Sequence, residues 1–469
     1  MSSLFGSMSI ALQSLLAQQG ALGVVANNVA NANTPGYSRE IPILEESPPI
    51  LRGNVLVGTG VTMSSVESVR DDILNLRIDQ ETSQQSSLNS YVDSMNQVQA
   101  LFNETQGTGL QTYLSNFFNS FSSLATDPAS SSLRQAVITA GQDLAGAFSQ
   151  TSNNLGTIQQ GLDQSVLQTV QQVNQDAAQL ANLNQQIQGV SNSGGDAGSL
   201  EDQRDQDLTN LSGLIDTAVV YSNDGTVSVT TTNGALLVSG NQSNALTAQL
   251  SNATGMHEVL AQGNDITSSI AGGRLQGLIS ARDESIPLAQ SSLDNLAAGL
   301  ISAVNQQQND GFDLNGLQGA DFFTPFTPSA AGSNAGAAGT MTVALTNPDQ
   351  IAASSDGTPA DNASGDNGNA TAFADLQNKP IVSGQTAGSY YSNLADQVGN
   401  DVSNATSEQE AVTLVLQQLN NQRSSISGVS LDEEATNLVM YQRAYEAAAR
   451  VMSVVDELTS TTITMFTPS

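Results

Sequence analysis

The chain has 469 residues, of which 12% are charged, and its 44 acidic against 12 basic side chains give a net charge of −32. This acid excess repels phosphate backbones, and the chain contains no run of about 18 apolar residues, so we predict no nucleic-acid partner and no membrane insertion. With no cysteine and one histidine, His257, the composition excludes disulfides, cysteine-based zinc sites and histidine metal clusters, and we predict no metal and no cofactor.

The first 38 residues carry no charge, and apolar residues recur among them in alternating steps of four and three. The series is Leu4, Met8, Ala11, Leu15, Gln18, Leu22, Val25 and Val29. Such spacing predicts a helix with a coiled-coil-like seam that only Gln18 interrupts. The helix is predicted to end near Asn31, because Thr34-Pro35-Gly36 favours a turn.

Further elements are predicted along the middle of the chain. Period-two alternation around Asn223-Asp224-Gly225 and Asn233-Gly234 indicates hairpins, and therefore a small β-rich unit over 218–272. The other predicted elements are extended segments over 39–70 and helices over 71–104, 110–126, 133–190, 200–215 and 274–308. Residues 309–370 are interpreted as a loop-rich region with a strand at Met341–Leu345, or as a partly disordered insert.

The last hundred residues are again helical in pattern. The spacing of Ser430 and Glu433 predicts a capping box, and Asp432 is expected to add favourable charge to the start of the final helix. We prefer a cap to a metal site for the acidic trio Asp432, Glu433 and Glu434, since no further ligand is near in sequence. The predicted final helix, 431–464, has a stripe of Leu431, Leu438, Tyr441, Tyr445, Ala448, Met452 and Val455.

Together these elements predict a mainly α fold with a β-containing middle, in which the two chain ends form a long helical bundle around a β-rich inserted domain. Helices far apart in sequence can bury their stripes only if the chain ends pack together. The predicted domains are 1–70 (assembly helix and extended hairpin region), 71–215 (first part of the bundle), 216–370 (β-rich and loop-rich insert, with the helix near 274–308), 371–430 (second part of the bundle) and 431–469 (C-terminal assembly helix).

The terminal helices have two interpretations. A charge-poor amphipathic helix at a chain end exposes much apolar surface, so we expect both to be disordered in the monomer and to fold against neighbouring copies. The alternative is an ordinary internal bundle helix.

Residues 27–39, Asn-Asn-Val-Ala-Asn-Ala-Asn-Thr-Pro-Gly-Tyr-Ser-Arg, resemble the N-terminal signature shared by flagellar rod, hook and hook-associated proteins. The segment 427–434 resembles the hook-associated members more than the hook proteins. The family signature positions are Asn28, Asn31, Thr34, Pro35, Gly36, Tyr37, Gly428, Asp432 and Glu433.

The resemblance implies a structural, non-enzymatic component of the bacterial flagellum at the junction of hook and filament. It would be exported unfolded by the flagellar type III apparatus, lying in the cytoplasm before export and outside the cell afterwards. It would assemble through its terminal helices, with Leu4, Met8, Leu15, Leu22, Val25 and Val29 on one and Leu431, Leu438, Tyr441, Tyr445, Met452 and Val455 on the other. The implied partners are further copies of the chain, the hook protein, the second junction protein and an export chaperone on the C-terminal region.

Two alternatives remain open at this point. One is a hook or rod subunit of the same family, and the other is a secreted adhesin or enzyme with a helical scaffold. Carboxylate pairs such as Asp202 and Asp205 offer acid–base groups in principle. We expect Arg204 and Asp205 to lie on a solvated helix face and His257 to be a plain surface or loop residue, so no catalytic residue is assigned.

Overall fold

A computed structural model describes residues 2–52, 54–103, 109–328, 330, 332–357 and 365–466. The helices are α1 Ser2–Asn31, α2 Asp72–Leu101, α3 Leu110–Leu124, α4 Ser131–Asn192, α5 Gly198–Leu214, α6 Gly273–Ser280, α7 Ile286–Asn309, α8 Ala337–Thr340, α9 Gly368–Asp375, α10 Ala387–Ser427 and α11 Leu431–Phe466. The strands are β1 Glu40–Glu46, β2 Ile50–Arg52, β3 Val55–Val57, β4 Val61–Ser68, β5 Ala218–Tyr221, β6 Val227–Thr230, β7 Leu236–Ser239, β8 Gln242–Ser243, β9 Leu246–Leu250, β10 His257–Ala261 and β11 Asn264–Asp265.

The predicted fold class is confirmed, because long helices surround a small β-containing middle. Each helix predicted between residues 71 and 308 has a counterpart within a few residues of its expected bounds, although the predicted helix end at 104 lies outside the described residues. The predicted helix over 274–308 is α6 and α7, joined by a π-helical turn at Ala281–Ser285.

The 62-residue helix α4 is the axis of the bundle. Its buried stripe packs against α3, α5, α6 and α7, and strands β7 to β10 lie on the same helix. A single core therefore runs from the bundle into the β-containing middle. The division into separate domains stays a prediction, and α6 and α7 lie within the helical bundle.

The strands of the β-containing middle form two antiparallel sheets on α4, in the orders β5-β6-β7-β8 and β11-β10-β9, while β1 pairs with β4 and β2 with β3 near the N-terminus. Two helix asparagines bind these sheets through their side-chain amides. The Asn184 Nδ2 donates to the Val227 oxygen at 2.8 Å, and the Val227 N–H donates back to Asn184 Oδ1 at 3.0 Å. Asn174 makes the same reciprocal pair with the backbone of Leu246. Each side-chain amide satisfies the backbone N–H and carbonyl of one strand residue, as a neighbouring strand would.

The region 309–370 packs more tightly than its composition suggested. Phe322 and Phe323 are fully buried beside Phe117, and Phe373 stacks on Phe121 with ring centroids 4.2 Å apart. The strand predicted at Met341–Leu345 is wrong, because this segment makes only one isolated bridge, from Val343 to Phe323. Backbone hydrogen bonds flank this bridge, from the Ala344 N–H to the Phe322 oxygen at 2.8 Å and from the Thr324 N–H to the Thr342 oxygen at 2.9 Å, but the pairing does not extend into a regular strand. Residues 358–364 of this region lie outside the described part.

Two expectations about polar side chains are wrong. Arg204 and Asp205 are 4% and 7% exposed, because the β-containing middle covers this face of α5: Arg204 donates to the Gly225 oxygen at 3.0 Å. His257 lies in strand β10, and its Nδ1 is 2.7 Å from Asp163 Oδ2. Burial of Asp163 is outweighed by hydrogen bonds from His257 and by the charge of Arg282, so the pKa of this carboxyl is lowered.

Asp79 on α2 provides a test of this core. It is 5% exposed, and the Thr209 hydroxyl donates to its Oδ1 at 2.6 Å. Burial raises the pKa of Asp79 from 3.8 to about 7, although the Thr209 hydrogen bond opposes the shift. The stability gained from the protonated carboxyl is therefore complete below about pH 4 and is lost as the pH rises through about 7.

We expect Asp79→Asn to unfold at higher denaturant concentration than the parent chain at pH 8, by a free energy of about 4 kcal/mol at most. The difference should nearly vanish or reverse at pH 4, because the folded carboxyl is then protonated and only about half of the unfolded carboxyls are ionised. Chemical denaturation across this pH range is the measurement. Asp143→Asn, at an exposed position of α4, is the control. Parallel stability profiles for parent and Asp79→Asn would contradict the assignment.

Candidate assembly surface

The two terminal helices pack against one another. Helix α11 begins beside the end of α1, where Glu433 forms an ion pair with Arg39, and then runs back along α1 in the antiparallel direction. The hairpin of β1 and β4 covers another side of α1: Ser47 Oγ donates to Gln13 Oε1 at 3.3 Å, and Met63 lies against Gly20. Helix α1 is thus held between the hairpin and α11.

The predicted seam residues differ in how far they are covered. On α1 the buried seam residues are Ala11, Gln18 and Val25, and the half-buried ones are Leu4, Leu15 and Leu22. Met8 and Val29 are 36% and 45% exposed. On α11, Val455 is buried, Leu438, Tyr441 and Met452 are half-buried, and Leu431 and Tyr445 are 56% and 39% exposed. The role of these residues in assembly stays a prediction.

The paired helices leave much apolar surface uncovered. Phe5, Leu12 and Leu16 on α1 are 59%, 49% and 59% exposed, and Met440 and Val454 on α11 are 53% and 55% exposed. Both termini are helical in the structure, whereas the sequence led us to expect disorder in the isolated chain. Their state in the free monomer stays a prediction, and their pairing still leaves an apolar face to be covered.

Helix α1 also bears on the expectation of no membrane insertion. By length and composition alone, residues Leu4–Asn31 are apolar enough to cross a membrane, and they are the one such helix in the described part of the chain. This test is weak evidence, because a helix that packs inside a protein assembly has the same composition. Here part of its surface is covered by α11 and the hairpin.

The signature segment forms the bend between α1 and the hairpin. The Asn28 Nδ2 donates to the Glu40 oxygen at 2.8 Å, and the Glu40 N–H donates back to Asn28 Oδ1 at 2.9 Å. The Tyr37 hydroxyl donates to the same Oδ1 at 2.8 Å. Burial raises the pKa of Tyr37, and the carboxylates of Glu40 and Asp202 raise it further, so the hydroxyl remains a donor. Asn28, which is 1% exposed, therefore fixes the direction in which the chain leaves α1.

The turn after α1 is formed by the expected residues. Thr34 Oγ1 donates to Asn31 Oδ1 at 3.1 Å, and the Thr34 N–H donates to the Asn31 oxygen at 2.9 Å. Pro35 follows, and Gly36 has φ +83°, a conformation that side chains disfavour. The Gly36 oxygen accepts from Arg423 of α10 at 3.1 Å. The turn is thus bound to the helical body.

Charged side chains hold the bend in place, a role that the sequence did not predict for them. Asp202 of α5 accepts from the Ser38 N–H at 2.9 Å and from Arg70 Nη2 at 2.8 Å. Arg70 also pairs with Glu201. The only sequence signal for these contacts is that charged residues are rare in this chain, at 12%.

The start of α11 departs from the predicted capping box. The Glu433 N–H lies 3.5 Å from Ser430 Oγ, a weak cap, and the Glu433 carboxylate pairs with Arg39 instead of turning back to Ser430. Asp432 is exposed beside it. At Gly428 a Cβ would overlap the Ser424 oxygen, which explains the glycine before this helix. No cluster of metal-ligating residues occurs in the part of the chain that the structure describes.

Three family models match the chain. The model described as the flagellar hook-associated protein FlgK helical domain matches residues 95–323. The flagellar basal body rod FlgEFG protein C-terminal model matches residues 420–465, and the flagella basal body rod protein model matches residues 8–37. The last two matches include α11 and most of α1, the helices that form the exposed apolar pair.

Curated relatives match nearly the whole chain. It is 32% identical to flagellar hook-associated protein 1 of Bacillus subtilis (strain 168), over 98% of this chain and 97% of that protein. It is 27% identical to the protein of the same name from Salmonella typhimurium (strain LT2), over 96% of this chain and 97% of that protein. The fold is similar to that of the flagellar hook junction protein FlgK from Burkholderia pseudomallei, with a TM-score of 0.67 and 20% identity, covering 75% of this chain and all of that one.

We expect Asn28→Ala to loosen the bend while the helical body stays folded. The substitution leaves the buried N–H and carbonyl of Glu40 without partners, at a cost of about 2 kcal/mol. That cost corresponds to a roughly 30-fold loss of hydrogen-exchange protection at the Glu40 amide. Asn33→Ala, an exposed asparagine in the same segment, is the control. Unchanged protection in Asn28→Ala would show that the bend is held by other contacts.

Proposed function

Because the chain belongs to the family of flagellar hook-associated protein 1, we propose that it is the structural component that joins hook and filament in the bacterial flagellum. The observation that supports this most strongly is the 32% identity over nearly the full length of a protein with that name. The exposed apolar pair of α1 and α11 supplies the physical means of assembly.

The distribution of charge suits this role. Copies that each carry a net charge of −32 repel one another, so contact is favoured where charge is absent. Helix α1 contains no charged residue, and covering the exposed half of Phe5, Leu12 and Leu16 gains about half of the 1.5–3 kcal/mol that a fully exposed side chain would gain. In the proposed assembly these helices lie together around the axis, and the acidic body faces outward.

The proposed partners are further copies of the chain, the hook protein and the second junction protein, with an export chaperone bound to the C-terminal region before assembly. The proposed route is export in an unfolded state through the flagellar type III apparatus, from the cytoplasm to the outside of the cell. The absence of cysteine supports such a route, since no disulfide can obstruct threading.

The proposal assigns no catalytic activity. The carboxylates that the sequence left open as acid–base candidates are engaged with arginines: Asp202 pairs with Arg70, and Asp205 with Arg204.

We expect Leu16→Glu to reduce assembly, because it places a charge on the exposed apolar face of α1. Leu288→Glu is a matched control: Leu288 is 60% exposed on α7, against 59% for Leu16. Motility and incorporation in a strain lacking the parent protein should fall severalfold for the first variant and stay normal for the second. Equal behaviour of the two variants would contradict a role for this face.

We expect a chain without residues 1–35 or 435–469 to remain folded but to be absent from flagella. The hydrophobic clusters of the described body contain no side chain from α1 or α11, so the core does not depend on them. Circular dichroism reports folding, and labelled electron microscopy reports location. For the full chain a thin tier at the hook end is the expected result, whereas label along the whole hook would favour a hook subunit.

A further inference from the structure

The far end of the hairpin is exposed on both sides. Strands β2 and β3 form a two-stranded ribbon in which Leu51 pairs with Leu56. These two side chains are 68% and 66% exposed. A lone two-stranded ribbon with uncovered apolar residues is marginally stable in water, so it calls for a covering surface. Glu45 and Glu46 lie exposed at its base and form no ion pair within the described residues.

The outward face of α11 carries two arginines of opposite charge to Glu45 and Glu46. Arg443 and Arg450 are seven residues apart, and a helix places such residues on one side. Both are exposed, and neither belongs to an ion pair in the described part of the molecule. The exposed Met440 and Val454 flank them. Residues 435–455 contain these two arginines and a single acid, Glu446, which lies between them on the same side of the helix, so the stretch has a net charge of only +1 in a strongly acidic chain.

The two surfaces lie at the same level along α1. The base of the ribbon lies near Gln13 of α1, because Ser47 contacts that residue. Gln13 is 15 residues before Asn28, so the base of the ribbon is about 22 Å along the helix from the bend. Arg443 and Arg450 are 10 and 17 residues past Glu433, which pairs with Arg39 at the same bend, or about 15–25 Å along α11. A neighbouring copy turned about the assembly axis, without a large axial shift, would bring one surface against the other.

We propose that the ribbon of β2 and β3, with Glu45 and Glu46, docks on the Arg443 and Arg450 face of α11 in a second copy of this chain. The inference rests on the proposed assembly and names the side-to-side contact within it. The partner is another copy of the chain, because the chain itself carries two complementary surfaces. The ribbon surface is apolar with acidic residues at its base, and the α11 surface is apolar with two arginines.

Such a contact is head-to-tail, since the ribbon of one copy meets the helix of the next. Repetition of a head-to-tail contact gives a closed ring or a helical turn, which is the geometry of a tier around a pore. The ion pairs are at the surface, so salt weakens the contact, while the apolar part remains.

Cysteine cross-linking tests the juxtaposition directly, because the parent chain contains no cysteine. One full-length variant carries Glu45→Cys, and a second, of different tag length, carries Arg450→Cys. A short thiol-to-thiol cross-linker applied to concentrated mixed protein, or to flagella that contain both, should give the mixed dimer. Pairing Glu45→Cys with Arg274→Cys, at an exposed arginine of α6, is the control. A mixed dimer no more abundant than in this control would overturn the proposal.

Charge reversal supplies a second readout. We expect Glu45→Lys with Glu46→Lys, or Arg443→Glu with Arg450→Glu, to weaken association by about tenfold or more, and the four changes together to restore it. Failure of the fourfold variant to recover would overturn the proposed contact. Labelled electron microscopy then locates the same variants in flagella. If the parent protein is at the hook end and no charge reversal changes this, the contact is rejected but the proposed function stands. If the parent protein is absent from the hook end, the proposed function itself is rejected.

Discussion

Side-chain amides of asparagine, used in place of charged groups, connect the helices of this protein to its extended segments. Four helix asparagines each form a reciprocal pair of hydrogen bonds with the backbone of one residue: Asn28 with Glu40, Asn174 with Leu246, Asn184 with Val227 and Asn305 with Phe323. Such pairs satisfy buried backbone groups without burying a charge. They also keep their strength across pH and salt, unlike surface ion pairs. The bend after α1, both sheets and the aromatic cluster depend on them.

Charge scarcity also decides where the rare ionic contacts occur. Arg70, Asp202 and Arg423 meet around the turn at Gly36, and Arg39 meets the first turn of α11. The bend is thus the point at which the terminal helix pair is bound to the body. The pair beyond it has apolar contacts and exposed apolar faces, which suits surfaces that are completed by neighbouring copies. The terminal helix pair is thus attached firmly to the body at the bend and keeps exposed apolar surface along the rest of its length. A subunit that assembles with its neighbours through these helices needs both properties.

Much of the fold could be predicted from the sequence, because helix and hairpin patterns are local. The period of the apolar stripe in α4 and the Asp224-Gly225 turn are examples. The long-range contacts could not be predicted in this way. The region 309–370 had the composition of a loop-rich insert, but its Phe322 and Phe323 are fully buried against Phe117, which is distant in sequence. Arg204 looked like a solvated residue, since nothing in its own helix indicates that the β-containing middle covers it.

By itself the sequence determined that the ends of the chain are helices with apolar stripes, that a turn follows Asn31 and that the first 38 residues carry no charge, because each of these properties belongs to a short stretch of residues. Only the tertiary structure decided which side of each helix stays uncovered. The seam of α1 is a case in point: Gln18 is buried, while Met8 and Val29 are exposed. The physical reason is that the exposure of a side chain depends on the elements that pack around it, here α11 and the hairpin, and those elements are brought together by contacts across the whole length of the chain.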